Sequence, residues 1–327
     1  MGALQNYTSF EEKDKLFFKS EYINDIETLK CKICELSSNP YLIYRGLHNA
    51  SYRLYTSSQR HFILRDDLYA KIGGNTYHTF IRRAINLIRQ DAVICGYFDS
   101  NNIPINDFLA LALLQHYLEC SPLIDFTYHI TPALYFASDL RRWRSTGSPL
   151  DDYVSIYFAD SRIDWLRATI QEINKTGAYN AENMLVEAAS KGRFADPYET
   201  FYHMQNLTYE KYIDGISFLT VAGSDKGPTD IDIDSLGLSW QYNICNPRLQ
   251  RQNGMFIFNV SEDVPVVENI NSVTRHYCMF GCLNINKNLE SEIKRLYLDP
   301  YNINDNTMYV QDNESNMLEN RIKELIR

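Results

Sequence analysis

The sequence predicts an α+β fold. Three observations predict it: short runs of β-branched and aromatic residues, longer stretches with helical apolar spacing, and no regular βαβ alternation between them. With 45% hydrophobic and 22% charged residues over 327 positions, the chain has ample material for a buried core.

Taken in order, Ile23, Ile26, Leu29, Ile33 and Leu36 recur at three- and four-residue intervals and predict an amphipathic helix over 21–37, stopped by Asn39-Pro40. Tyr41-Leu42-Ile43-Tyr44 is a short β-prone run that ends at Arg45-Gly46, a strand presenting an arginine beside a glycine that permits close backbone approach. A helix is expected over 68–94, with Phe80, Ala84, Leu87, Ile88 and Val93 on one face. Another is expected over 106–118, capped by Asn106 or Asp107. Thr131-Pro132 opens a helix over 130–143, since proline suits a first turn. Strands follow at 153–158, 218–221 and 255–258, and helices at 161–174, 180–190, 286–297 and 314–326. Gly147-Ser148-Pro149 and 223–228 read as loops. Residues 1–39 are expected as an N-terminal helical segment packing on a core of 40–327.

Composition excludes several classes. No run of about 18 apolar residues occurs, so no membrane helix is expected. The opening residues, with Gln5, Glu11, Glu12 and Lys13, lack a basic-then-apolar leader pattern, and cytoplasmic residence is the expectation. A formal net charge of −9 argues against broad nucleic-acid binding, although Arg141, Arg142 and Arg144 cluster, as do Arg248 and Arg251. The seven cysteines are an odd number and do not make a disulfide framework. Cys31-x-x-Cys34 and Cys278-x-x-x-Cys282 have zinc-like spacing. The first lies in a helical pattern without knuckle glycines, however, so buried free thiols and no structural metal are expected. Phosphate-loop, dinucleotide-fingerprint, nucleophile-elbow and zinc-protease motifs do not occur.

What remains is a set of polar residues inside apolar runs: Gln115-His116 after Leu113-Leu114, Asp125 and Thr127 within Leu123-Ile124-Asp125-Phe126-Thr127, then Ala133-Leu134-Tyr135-Phe136-Ala137. Burying an isolated aspartate costs several kcal/mol, on the order of 3 or more, so these groups are expected to converge. Each has a plainer alternative. Arg45 could bridge Asp125, Gln115 and His116 could cap their helix, Asp125 could cap the helix near Thr131, and Gln252-x-Gly254 could be a β-bulge.

Together with Asn246-Pro247-Arg248-Leu249-Gln250-Arg251-Gln252-Asn253-Gly254-Met255-Phe256 and a closing Lys294–Leu296, Asn302-Ile303 and Tyr309, these motifs resemble the FRG domain family over roughly 40–327. Tyr117-Leu118 and Cys120-Ser121-Pro122 stand where the family carries His-Gly and Pro-Thr-Arg, so any anion held by that arginine falls here to Arg45 or Arg248, or is not held at all. The order of motifs is also similar to the ADP-ribosyltransferase layout, which implies a mixed sheet core flanked by helices. That likeness implies a pocket for NAD or a related nucleotide: Arg45, Gly46, Gln115, Thr127 and Arg248 bind substrate, and His116, Asp125 and Gln252 do the chemistry. The implied reaction is cleavage of the nicotinamide–ribose bond or ADP-ribosyl transfer, as in a bacterial toxin or anti-phage effector acting on a protein target. The competing expectations are a non-enzymatic module sensing a nucleotide or regulatory partner, and a nuclease or other hydrolase built on His116 and Asp125.

Overall fold

The computed structural model describes residues 2–100, 105, 107–160, 218–222, 254–259, 261–273, 278–309 and 313–327. The expected helices at 161–174 and 180–190, the loop at 223–228, and Arg248 and Gln252 lie outside the described residues.

The strands are β1 (Lys19–Ile23), β2 (Leu42–Leu47), β3 (Leu123–Thr127), β4 (Tyr153–Asp160), β5 (Phe218–Ala222), β6 (Gly254–Asn259) and β7 (Phe280–Asn286). They form one sheet in the order β1-β7-β4-β2-β3-β6-β5. Only β1 and β7 pair in parallel; every other neighbouring pair is antiparallel. The fold is therefore α+β with a mixed sheet, as the absence of βαβ alternation implied.

Side chains alternate across each strand and sort the helices onto two faces. On β3 and β6, Leu123, Phe256 and Phe258 join a core with α5 (Tyr77–Arg89) and α7 (Asp107–Tyr117). Ile124, Phe126 and Ile257 pack on the other face with α9 (Val266–Val273) and with Phe17 and Leu54. Asp125, between Ile124 and Phe126 and opposite Phe256, thus faces α7. Over β2 and β4, α2 (Ile26–Ser37) and α8 (Ile130–Ser138) bury Leu29, Ile33, Ala133 and Ala137 against Tyr44 and Ile156.

At Gly46 there is no room for a side chain between β2 and α8. A Cβ there would lie 1.9 Å from the Ala133 carbonyl oxygen and 2.7 Å from the Ala137 amide nitrogen. Both are backbone atoms, so no side-chain rearrangement relieves the clash.

The N-terminal residues pack into the sheet. In α1 (Phe10–Asp14), Lys13 is fully buried, and its ammonium donates at 2.7 Å to each of the Ala50 carbonyl, Ser155 Oγ and Asn284 Oδ1. Burial lowers its pKa. One ammonium thereby joins the segment after β2 to β4 and β7.

Several boundaries differ from expectation for identifiable reasons. Residues 19–23 form β1, and the helix starts only at Ile26, where Asp25 accepts from the Thr28 amide as N-cap. The expected helix over 68–94 is three, α4 (Asp67–Ile72), α5 and α6 (Ala92–Ser100). Gly73 and Gly74 have φ of 71° and 133° and end the first, and the Asp91 carboxylate takes the Ile94 amide at the start of the third. The helix expected over 130–143 stops at Ser138 and gives way to a 3₁₀ turn at Leu140–Arg142. Strand β7 and helix α3 (Ser57–Leu64) were not expected at all. Cys31 and Cys34 are free but exposed on α2, which corrects the expectation of buried thiols; Cys282 is buried. Among the described residues, no helix is long and apolar enough to cross a membrane.

Substituting Gly46→Ala is expected to destabilise the protein by more than about 3 kcal/mol, because two helix backbone groups would have to withdraw. Chemical denaturation checks this. A loss below about 0.5 kcal/mol would mean that α8 can shift freely away from β2.

Candidate functional site

The sheet is not evenly knitted. Strand β2 pairs with β4 over six residues, Leu42 to Leu47, whereas β2 and β3 pair only at Tyr44 with Thr127. The Asn259 amide bonds the Pro122 carbonyl, so alternation along β3 sends the Asp125 carbonyl away from β6 and toward β2. Among the described residues the β2–β3 register does not extend to it. Arg45 Nη1 meets it, at 2.6 Å. A guanidinium has replaced the next rung of the ladder.

Arg45 Nη1 also lies 3.5 Å from Asp125 Oδ2, the same oxygen that accepts from Gln115 Nε2 at 2.6 Å. Ser57 Oγ donates to Gln115 Oε1 at 3.1 Å, which fixes the amide's orientation. His116 Nε2 stands 3.7 Å from Asp125 Oδ1, and its ring meets Phe256 edge-on with centroids 5.5 Å apart. Arg45 and Asp125 side chains are each 22% exposed and His116 is 6% exposed, so a ligand reaches the ion pair first and the imidazole through it. Arg45 Nε is buried with no hydrogen-bond partner among the described residues. Burial works against its charge, opposed by Asp125.

This cluster forms one part of the wall of a cavity of about 580 Å³, within the ordinary range for small-molecule sites. Five arginines line it, Arg45, Arg53, Arg60, Arg142 and Arg144, against three carboxylates, Glu119, Asp125 and Asp139. In a chain of net charge −9 this is a local excess of positive charge. Tyr52, Tyr55, Phe136 and Tyr309 supply flat apolar surface, and Leu4 and Asn6 close one side. Asn6 is held there by a bridge to Tyr52.

Electrostatics on the wall follow from concavity. His48 is driven down to about 4 by burial and then by the Arg142 charge, so its imidazole is neutral at neutral pH. Glu119 lies 3.8 Å from Arg142 and has φ of 51°, a left-handed backbone that glycine would adopt more easily. The turn after α7 therefore places its strained residue at Glu119, one position beyond Leu118.

The loop carrying Arg144 and Thr146 is fixed by one buried carboxylate. Asp151 accepts from Asn49 Nδ2 and Ser145 Oγ at 2.8 Å, from the Thr146 amide at 2.7 Å and from the Gly147 amide at 2.9 Å. Burial alone would raise its pKa, but the bonds from Asn49, Thr146 and Ser145 outweigh it and hold the group well below the usual carboxylate range.

Of the residues singled out from the sequence, Arg45, Gln115, His116 and Asp125 converge. Gly46 touches the cavity but chiefly admits α8. Thr127 lies beside it, lining a separate recess of about 20 Å³ with Tyr44, Arg45 and Phe136, and its Oγ1 accepts from the His129 amide at 3.2 Å. Arg60, Glu119 and Ser57 were not anticipated; Arg142 stood out only as part of a basic cluster and Tyr309 only in the closing motif, neither as a site residue. The capping box of α3, Thr56 with Gln59, is the local signal that could have placed Ser57 and Arg60 on an ordered first turn. Among the described residues, no group of three or more His, Cys, Asp or Glu side chains could hold a metal ion.

Residues 40–144 match the FRG domain family. The match spans 105 of the 327 residues and likens that segment to the FRG domain. The matched span includes every converging residue, from the Arg45-Gly46 pair on β2 through Asp125 on β3 to Arg144. Comparison with curated proteins and with solved structures finds no significant match. Within the matched span the Arg-Gly dipeptide has a physical division of labour: the arginine fills the gap in the sheet and the glycine lets α8 lie against it.

Because the Asp151 carboxylate is held below its ordinary pKa, its contribution to stability is complete above that ordinary value, near 4, and is lost as pH falls toward the lowered one. Asp151→Asn is expected to cost about 2–4 kcal/mol at pH 7 and to flatten the acid limb of stability. Urea titrations of both proteins between about pH 3 and 7 check this. Parallel curves for the two proteins would remove Asp151 from this role.

Proposed function

We propose that the cavity binds NAD or a related nucleotide and that Asp125 supports cleavage of the nicotinamide–ribose bond. The observation that carries this reading is the convergence of Arg45, Gln115, His116 and Asp125 on an arginine-rich cavity with aromatic walls. Arginine forks suit phosphate oxygens, and tyrosine faces suit a base or nicotinamide ring.

In the proposed reaction the bond from ribose C1′ to the ring nitrogen breaks, and its electron pair leaves with nicotinamide, neutralising the ring. Positive charge then develops on the ribose, where the Asp125 carboxylate stabilises it. Water, or a nucleophile on a target protein, attacks C1′ and gives up a proton to the His116–Asp125 pair. The products are nicotinamide and either free ADP-ribose or an ADP-ribosylated target. In the ADP-ribosyltransferase-like arrangement that this reading adopts, Thr127 supports the ribose, and Arg248 and Gln252 complete the site. Such chemistry suits a bacterial toxin or anti-phage effector.

One observation favours a second reading, a non-enzymatic nucleotide sensor. Asp125 Oδ2 is already held by Gln115 and Arg45, and Oδ1 is buried. An engaged carboxylate recognises more readily than it reacts.

Incubating the purified protein with NAD, with and without cell lysate, and following free nicotinamide separates the two. Turnover is expected, and Asp125→Asn should lower it by about 10²–10³-fold. Saturable NAD binding without release, in either condition, supports the sensor and retires the reaction.

A further inference from the structure

We propose that Arg60, with Arg142 beside it, forms a phosphate seat in the cavity that takes the phosphate or pyrophosphate group of the nucleotide ligand. This rests on the cavity being a nucleotide site, but not on cleavage occurring there.

The inference comes from asking what each arginine of the cavity already does. Arg45 is engaged by Asp125. Arg53 is engaged by Glu12 and by Glu268, the latter at 2.6 Å. Arg144 Nη1 donates to the Arg141 and Trp143 carbonyls at 3.1 and 2.6 Å. Arg142 has Glu119 and Asp139 only at 3.8 and 3.7 Å, beyond hydrogen-bond length. Arg60 makes one bond, from Nη1 to the Tyr55 carbonyl at 3.2 Å, and no carboxylate among the described residues lies within 4 Å of it.

Its position is nevertheless costly for a cation. The side chain is exposed to the cavity yet surrounded by protein, and burial followed by the Arg45 and Arg142 charges disfavours its protonated form. The Glu119 and Asp125 charges oppose this in part, but neither carboxylate is in contact with Arg60. A fold that holds guanidinium groups within reach of one another's charge, and leaves one with no carboxylate in direct contact, is set up for a multiply charged anion. The planar fork selects phosphate geometry over a point charge. The first-turn donors of α3 do not make this seat, because the Ser58 amide bonds the Ser121 carbonyl and the Gln59 amide bonds Thr56 Oγ1. Side chains make it.

The test is calorimetric titration at low ionic strength with inorganic pyrophosphate, ADP and adenosine, on the wild type, Arg60→Ala and Arg60→Lys. Pyrophosphate and ADP are expected to bind the wild type. Arg60→Ala should weaken both by at least about tenfold, and Arg60→Lys by less, since it keeps the charge and loses the fork. Adenosine binding should be the same in all three proteins. ADP binding unchanged in Arg60→Ala would overturn the proposal. So would an equal loss of adenosine binding, or no binding of pyrophosphate and ADP to the wild type. Pyrophosphate binding without ADP binding marks the seat as one for free phosphate and removes the nucleotide assignment. Nicotinamide release is followed in parallel: if it is absent while ADP binding remains Arg60-dependent, the cleavage reading fails and the seat stands.

Discussion

The gap between β2 and β3 governs the rest of the site. Two strands that pair at one couple and then diverge leave a backbone carbonyl of β3 without its rung, in the middle of a seven-stranded sheet. An unmet buried carbonyl costs about 1–3 kcal/mol, so something must supply a donor. Arg45 does so from within the sheet. In filling the gap its guanidinium is drawn beside the Asp125 carboxylate, and the charge that repairs the sheet becomes the charge that borders the cavity. Structural and ligand-binding roles of this arginine are one interaction seen from two sides.

The neighbours follow from that arrangement. With the Asp125 side chain turned toward α7, the last turn of that helix is the place from which an amide and an imidazole can reach it, and Gln115 and His116 occupy it. Helix α8 must lie close over β2, and Gly46 removes the one atom that would prevent it. Loop 144–147, which completes the wall, hangs on Asp151, whose donors come from Asn49 and from the loop itself. The cavity is thus assembled by three contacts that are each stereochemically narrow: a fork in a strand gap, a helix on a glycine and a carboxylate ringed by donors.

Much of this was legible in the sequence, and the part that was not has physical causes. Arg45, Gln115, His116 and Asp125 stood out because each is polar within an apolar run, where an unpaired group is too costly to be incidental. The same reasoning is blind to Arg60 and Arg142, which sit among polar neighbours and read as solvated surface. Only the fold brings both to the wall of one cavity, where they remain exposed. Asp125 was also foreseen as a partner for Arg45, but not the bond to its backbone carbonyl, because strand divergence leaves no mark in composition.

Among the elements, β2, β4 and α7 carry strong β-branched or apolar signals and were found. Strand β7 was missed, its Cys282 and Asn284 hiding an apolar run. Strand β1 was absorbed into the helical periodicity of α2, because Ile23 falls in phase with Ile26 by coincidence. The double glycine at 73–74 outweighed a continuous helical pattern. Arg248 and Gln252 lie outside the described residues.

Lys13 has a practical consequence. Its amine is sealed at the junction of α1, β4 and β7, with all three hydrogens committed, whereas Lys30 and Lys294 stand in solvent. Acylating reagents therefore meet this amine only in molecules whose N-terminal segment has come away from the sheet. Mass spectrometry of the tagged peptide would then time that detachment residue-specifically, an internal clock for opening that needs no added probe.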